Sequence, residues 1–432
     1  MKHWFKDRHF RSLIKNSGYL ALSRGVAAVC GVATLAFAAR GLGLLLFGML
    51  ILITSYTRAA SGLAKFQSWQ LIVRYGGQGL AAGDPEQFKS STGFAAALDV
   101  LSGLVGMICA VALLPLIATW VGIDRQYWWL AMLYCTLLPT MGAASPNGVL
   151  RTLDRFDLIS WSSTLTPISR ALLAFIAFLA DAPLAAYVAI WFVTDLAGDM
   201  YQWYLAWREL RRHGLHAGIR PTLKPTDLPG AWRFAIQINL AVGVQTIWGP
   251  IARLAVGGLL GPTGAALFRV ASSLADSAQK PADLLGKAFY PEIVRMDLKS
   301  KKPWKLMLRS AAVATGVAVI GVLILVIGGK PLIELVFGKA FLGAYAPLMV
   351  LMLVPVLGVL SFPLAPMLYA LGKAGAPLNA RIIASGVFFV SLAPLCLQFG
   401  VVGAAISFVL ATATNVGVMA IQLARQYRNR HA

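Results

Sequence analysis

The chain has 432 residues, 58 % of them hydrophobic and only 13 % charged, whereas soluble domains carry roughly a quarter charged residues. That balance excludes a water-soluble globular protein. The formal net charge of +21 sits in short clusters between long apolar runs, which is the pattern of a polytopic membrane protein and not of a nucleic-acid binder.

A membrane-spanning helix takes about 20 mostly apolar residues. In chain order the qualifying stretches are 14–39, 44–66, 91–119, 127–149, 158–180, 184–207, 234–260, 264–290, 306–328, 342–370, 377–398 and 400–424, twelve in all. The first follows Lys2, Lys6, Arg8, Arg11 and Lys15 and runs to Ala36-Phe37-Ala38, an arrangement that imitates a signal peptide. Arg24 interrupts its apolar run and further spans follow, so it reads as an uncleaved first helix. The eighth is the least apolar, because Arg269, Asp276, Lys280, Asp283 and Lys287 fall inside it. Charge bias supports it. With the N-terminus in the cytoplasm, only Arg40, Arg125, Lys330 and Lys339 of the 38 Lys and Arg fall in loops on the opposite side. Lys65, Arg74 and Lys89 are then counted with one inner side, and Lys373 with Arg381 with another, Lys65 and Arg381 standing near the ends of their spans. Removing the eighth span would break this alternation.

The sequence therefore predicts an all-α integral membrane protein of twelve transmembrane helices with both termini cytoplasmic. The longest basic loop, Arg208 to Arg233 with Pro221, Pro225 and Pro229, divides it into two six-helix lobes, 1–218 and 219–432. Both lobes enter the membrane from the same side, as in a parallel repeat. Leu42-Gly43 before the second span and Leu260-Gly261 before the eighth align at an offset of 218. Pro115, Pro139, Pro167, Pro250, Pro355, Pro363 and Pro366 predict kinks within spans. No loop is long enough for a soluble catalytic domain, so function belongs inside the bilayer.

A charge at the bilayer centre costs at least about 2.5–3.5 kcal/mol, which makes each ionisable residue in a span a candidate site. The candidates are Arg24, Arg58, Arg170, Arg253 and Arg269, with the acids Asp99, Asp195, Asp199, Asp276 and Asp283. In the eighth span Arg269, Asp276, Lys280, Asp283 and Lys287 step along one helical face, a stripe that has to line a wet cavity or another charged face. Asp276 with Lys280 and Asp283 with Lys287 are also i,i+4 pairs, whose mutual neutralisation would make the helix insertable. Each arginine has a second reading as well, as the partner of an acid or as a snorkelling side chain. The arginines sit at different depths. A guanidinium stays charged and grips phosphate bidentately, so the set points to a phosphate or diphosphate headgroup as cargo. Asp195 and Asp199, one helical turn apart, are candidates for a coupling-ion or proton site.

Other chemistries are not expected. Cys30, Cys109, Cys135 and Cys396 are dispersed through apolar runs, and His3, His9, His213, His216 and His431 lie in basic termini or loops. Neither a disulfide scaffold nor a metal site follows. Gly328-Gly329-Lys330-Pro331 lacks the spacing and the hydroxyl of a nucleotide phosphate loop, and no GxSxG nucleophile elbow occurs. A transporter without a cofactor fits better than an enzyme.

Several motifs carry a resemblance. Leu13-Ile14-Lys15-Asn16-Ser17, Arg24, the Leu42-Gly43 and Phe47-Gly48 entry to the second span, and Phe66-Gln67-Ser68-Trp69-Gln70 followed by Arg74-Tyr75-Gly76 resemble bacterial polysaccharide flippases of the Wzx type. These belong with lipid II flippases and MATE exporters in the MOP superfamily of two-lobed transporters. The likeness at residue level covers mainly residues 13–77, and Leu44-Leu45-Leu46 stands where the family usually has acidic residues. The resemblance implies a MOP-type fold, V-shaped around a cationic cavity lined by helices 1, 2, 7 and 8. It implies a cargo of undecaprenyl-diphosphate-linked oligosaccharide, moved from the cytoplasmic to the periplasmic leaflet of a bacterial inner membrane. Arg24, Arg58, Arg253 and Arg269 would hold the diphosphate with Arg170 in support, and Lys280 and Lys287 would extend the cationic lining. Trp248 and Tyr56 would stack on sugar rings or pack against apolar neighbours. Glycan polymerase and glycosyltransferases are the implied protein partners. Two rivals remain: a MATE-like drug or cation antiporter, which would depend on carboxylates more than on arginines, and a membrane glycosyl polymerase or ligase, which would need a long outer loop.

Overall fold

The computed structural model describes residues 8–225, 227–294, 302–373 and 375–431. All regular structure among them is helical. Six stretches of the described residues are long and apolar enough to cross a membrane: Gly25–Ala81, Pro85–Ile117, Phe156–Leu179, Trp248–Gln279, Lys339–Ala370 and Gly375–Arg428. Three long helices each turn sharply at a glycine. Arg8–Ala64 turns at Gly43 (φ 68°, ψ −179°), Ala252–Val294 at Gly261 (φ 70°, ψ −177°) and Gly375–His431 at Gly400 (φ 56°, ψ −133°). Backbone of this kind is nearly closed to residues bearing a Cβ. Gly43 and Gly261 fall between the first and second and the seventh and eighth expected spans, and Gly400 is the first residue of the twelfth. Gly43 and Gly261, aligned by the 218-residue offset, share one backbone conformation. Leu184–Arg212 and Lys302–Phe337 supply further legs, the sixth and ninth in order.

Prolines divide other stretches. The fourth comprises Trp128–Cys135 and Ala144–Thr152, separated by turns over 136–143 that contain Pro139, Gly142 (φ 83°) and Ala143 (φ 34°). The tenth is Tyr345–Leu351, Leu353–Ser361 and Leu364–Ala370 in succession. Pro115 and Pro167 sit within continuous helices, and Pro250 within a π-helical turn, Ile247–Ile251.

The chain forms two compact units, Met1–Leu42 with Ile53–Thr246, and Gly43–Leu52 with Ile247–Ala432. In the first, Leu71, Tyr75, Phe94 and Leu98 pack against Leu228, Ala231 and Ala235, which draws the Ala231–Thr246 helix into that unit beyond the 218/219 boundary expected from the loop. In the second, Gly48 lies against the backbone of Pro262, so close that a Cβ there would meet the carbonyl oxygen at 2.0 Å. Phe47 meets Phe341 edge to face at 5.6 Å between ring centroids. Outward faces are apolar: Ile327, Val390 and Leu397 are 83 %, 79 % and 80 % exposed, as lipid-facing side chains are.

Candidate functional site

The charged residues of the first unit gather around the broken fourth stretch. Its turns strand backbone groups that have no water to satisfy them inside a membrane. Lys65, buried, donates from Nζ to the carbonyls of Met141 at 2.5 Å and Pro139 at 3.4 Å. Asp99, 1 % exposed, accepts from the Ser145 N–H at 2.8 Å, from Ser145 Oγ at 2.6 Å and from Ser68 Oγ at 2.6 Å. A carboxylate at the start of Ala144–Thr152 also meets the positive end of that helix. Asp199 faces the Gly142 backbone, Asp195 and Lys65. These three charges thus cap a helix break.

One turn from Asp199, Asp195 is the hub of a second group. Arg170 from the Phe156–Leu179 helix pairs with its carboxylate, donates from Nε to Thr194 Oγ1 at 2.8 Å, and lies 5.4 Å from the centroid of the Trp191 ring. Tyr134 donates its hydroxyl to Asp195 Oδ2 at 2.5 Å. Arg58 faces both Tyr134 and Asp195. Arg58, Lys65 and Arg170 are therefore matched by Asp99, Asp195 and Asp199, and this constellation carries no surplus charge when all six are ionised. At one end of the same helices, outside the spans, Arg155 bridges Asp157 at 2.9 Å and the buried Glu209 at 2.5 Å. The Arg155 guanidinium holds the Asp157 carboxyl below its ordinary range.

In the second unit Arg253 and Asp276 line a small cavity of about 50 Å³ together with Trp248, Phe268, Ser272 and Phe408. That volume suits a water or two, not a diphosphate. Trp248 donates from Nε1 to Ser385 Oγ at 3.0 Å and meets Phe408 edge to face at 5.2 Å. The Arg381 guanidinium lies 5.5 Å from the centroid of the Trp248 ring, and its Nε is buried without a hydrogen-bond partner. Arg269 lies half-buried on the 252–294 helix.

The structure thus brings together Arg58, Arg170, Asp195 and Asp199 in one unit, and Trp248, Arg253 and Asp276 in the other. Asp99 stands apart with Lys65 and the serines. Tyr56 is 5 % exposed and donates to the Ala110 carbonyl at 2.6 Å, so its ring packs within the first unit. The side chains of Arg24, Lys280, Asp283 and Lys287 lie outside the described residues. Three participants escaped the sequence reading. Lys65 and Arg381 sit at span ends, where charge is inexpensive and counts as loop, and Tyr134 is concealed in an apolar run. Arg381, six residues into a helix that begins at Gly375, has a detectable signal: no Asp or Glu occurs from Leu335 onward.

An all-helical, multi-span architecture with charge clusters inside the spans of two units is the fold of MOP-type transporters. The match to solved structures supports this. A multidrug resistance MATE family transporter of the MOP superfamily superposes with a TM-score of 0.73 at 15 % identity, covering 94 % of this chain and 95 % of the other. The lipid II flippase MurJ superposes with a TM-score of 0.76 at 12 % identity, covering 94 % and 87 %. Residues 13–297 match the family described as polysaccharide biosynthesis protein, and the chain belongs to that family. A relative from Escherichia coli strain K12, described as inner membrane protein YghQ, is 40 % identical over 347 residues, 80 % of this chain and 98 % of its own length.

Proposed function

We propose that this protein is a flippase for a lipid-linked oligosaccharide, carrying an undecaprenyl-diphosphate-linked glycan across a bacterial inner membrane from the cytoplasmic to the periplasmic leaflet. The observation that carries the reading is the uneven charge of the two units. The first neutralises Arg58, Lys65 and Arg170 with three aspartates. In the second, Arg253, Arg269, Lys280, Lys287 and Arg381 outnumber Asp276 and Asp283 within spans. A cationic surplus in a low-dielectric setting favours an anionic cargo and disfavours a cationic drug. The headgroup role therefore falls chiefly on Arg253, Arg269 and Arg381, with Arg24 from the first helix, and Arg170 acts as a partner of Asp195. Alternating access of the two lobes would expose such a headgroup to one side and then the other. The carboxylates Asp195 and Asp199, one turn apart, are where a coupling proton or cation would act. Family membership and the likeness to a lipid II flippase support the cargo class.

The test is cellular. In a strain lacking the chromosomal copy, Arg253→Gln and Arg24→Gln should each make lipid-linked sugar accumulate on the cytoplasmic leaflet, while Asp276→Asn should have the smaller effect. The reverse ranking would favour a cation antiporter.

A further inference from the structure

A second cavity lies at the membrane face where the Lys339–Ala370 and Gly375–Arg428 spans meet. It has a volume of about 440 Å³, within the range of small-molecule sites. Its polar lining is Lys373, Asn379, Gln422, Arg425 and Gln426, two cations and three amides with no acid. No Asp or Glu occurs between Leu335 and the end of the chain, so this segment has no acidic side chain of its own to neutralise Lys373 and Arg425. Gln422 Oε1 is buried without a hydrogen-bond partner, which leaves an acceptor that a ligand hydroxyl would satisfy. The remaining wall is apolar: Leu368 and Ala376 belong to a cluster with Met367, Ala380, Met419 and Leu423 that runs into the membrane-embedded part of these helices. The helix that begins at Gly375 adds the positive end of its dipole.

Two cations, one unsatisfied acceptor and an apolar floor at the end of two spans specify a ligand with a phosphate, a hydroxyl and a hydrocarbon tail. Basic pockets between transmembrane helices are recognised sites for acidic lipid headgroups. We propose that this cavity binds an anionic glycerophospholipid of the phosphatidylglycerol type, Lys373 and Arg425 holding the phosphate and a headgroup hydroxyl donating to Gln422 Oε1. The lipid ties the 364–370 helix to both ends of the Gly375–His431 helix and is a resident of the second unit, separate from any transported cargo.

Native mass spectrometry of the purified full-length protein, titrated with phosphatidylglycerol or phosphatidylcholine, tests this. Phosphatidylglycerol should be retained in preference. Lys373→Gln and Arg425→Gln should each weaken retention roughly fivefold, and both together about 25-fold. Arg428→Gln removes an exposed cation outside the cavity and should leave retention unchanged. The charge-keeping pair Lys373→Arg with Arg425→Lys should retain the preference even if the neutral variants fold poorly. Equal retention of the two lipids, an Arg428→Gln effect equal to that of Arg425→Gln, or displacement of the lipid by inorganic pyrophosphate at matched concentration would overturn the proposal, the last by showing a site for free polyphosphate.

Discussion

Asp195 holds the first unit's charges together, and its removal should be more damaging than that of its main partner. In the native arrangement its carboxylate takes Arg170, Tyr134 at 2.5 Å and the field of Arg58. Asp195→Asn leaves two guanidiniums near one another with no carboxylate in contact, and breaking a buried pair from one side costs about 3–5 kcal/mol. Arg170→Gln leaves Asp195 with Tyr134 and Arg58, so Asp195 loses one charge-assisted hydrogen bond, about 1.5–3 kcal/mol, and the Thr194 hydroxyl loses its donor beside it. The double variant should be no less stable than Asp195→Asn alone, a coupling of at least about 1.5–3 kcal/mol. With side chains only 12 % and 19 % exposed, the pair is shielded from salt, so the ranking should persist as the Debye length falls from about 10 to 3 Å. Unfolding in detergent followed by tryptophan fluorescence measures all three variants, and Trp191 beside Arg170 reports locally. Equal and additive losses for the two single variants would refute the hub.

Other outcomes follow from the same geometry. Lys65→Met should cost at least about 1–3 kcal/mol, because the Pro139 and Met141 carbonyls lose their donor; Lys65→Arg should be milder, and thermal unfolding distinguishes them. Gly43→Ala and Gly261→Ala should each destabilise by about 1–3 kcal/mol because of their φ near 70°, whereas Gly31→Ala, on open helix surface, should not. Arg155 holds the Asp157 carboxyl below its unfolded value of about 3.9. That contribution is therefore present above the unfolded value and is lost as pH falls through the folded one. Melting curves across the acid range should show a shallower acid limb for Asp157→Asn; an unchanged limb would remove Asp157 from the account.

Much of the fold was legible because lipid imposes a simple rule: apolar runs of spanning length, with punctuation between them. Gly43 and Gly261 stand in the gaps that the apolar runs leave and Gly400 at the first residue of one, and the short Leu-Gly match at Leu42-Gly43 and Leu260-Gly261 corresponds to a shared backbone turn. Pro139 marked a kink in the fourth stretch, but the full division into two helices was not legible, because Pro139 and Gly142 sit among apolar residues whose hydropathy is the same in a helix or a turn. Pairing between helices was also beyond periodicity. Spacing relates Asp195 to Asp199 on one helix, but only the packing places Arg170, Tyr134 and Arg58 against Asp195, and only the packing gives Lys65 to a broken backbone. Arg381 shows the limit of charge counting: assigned to a loop by its place near a span end, it stacks on Trp248 within the second unit.

The proposed role of the second unit's cations is to carry an anionic lipid head across the bilayer. Its most direct measurement is translocation of an undecaprenyl-diphosphate-linked oligosaccharide in proteoliposomes, read by a lectin that reaches only the outer leaflet. The native protein should move the lipid, and Arg253→Gln combined with Arg381→Gln should slow it at least about tenfold while melting normally. Unaltered translocation by that folded double variant would contradict the claim.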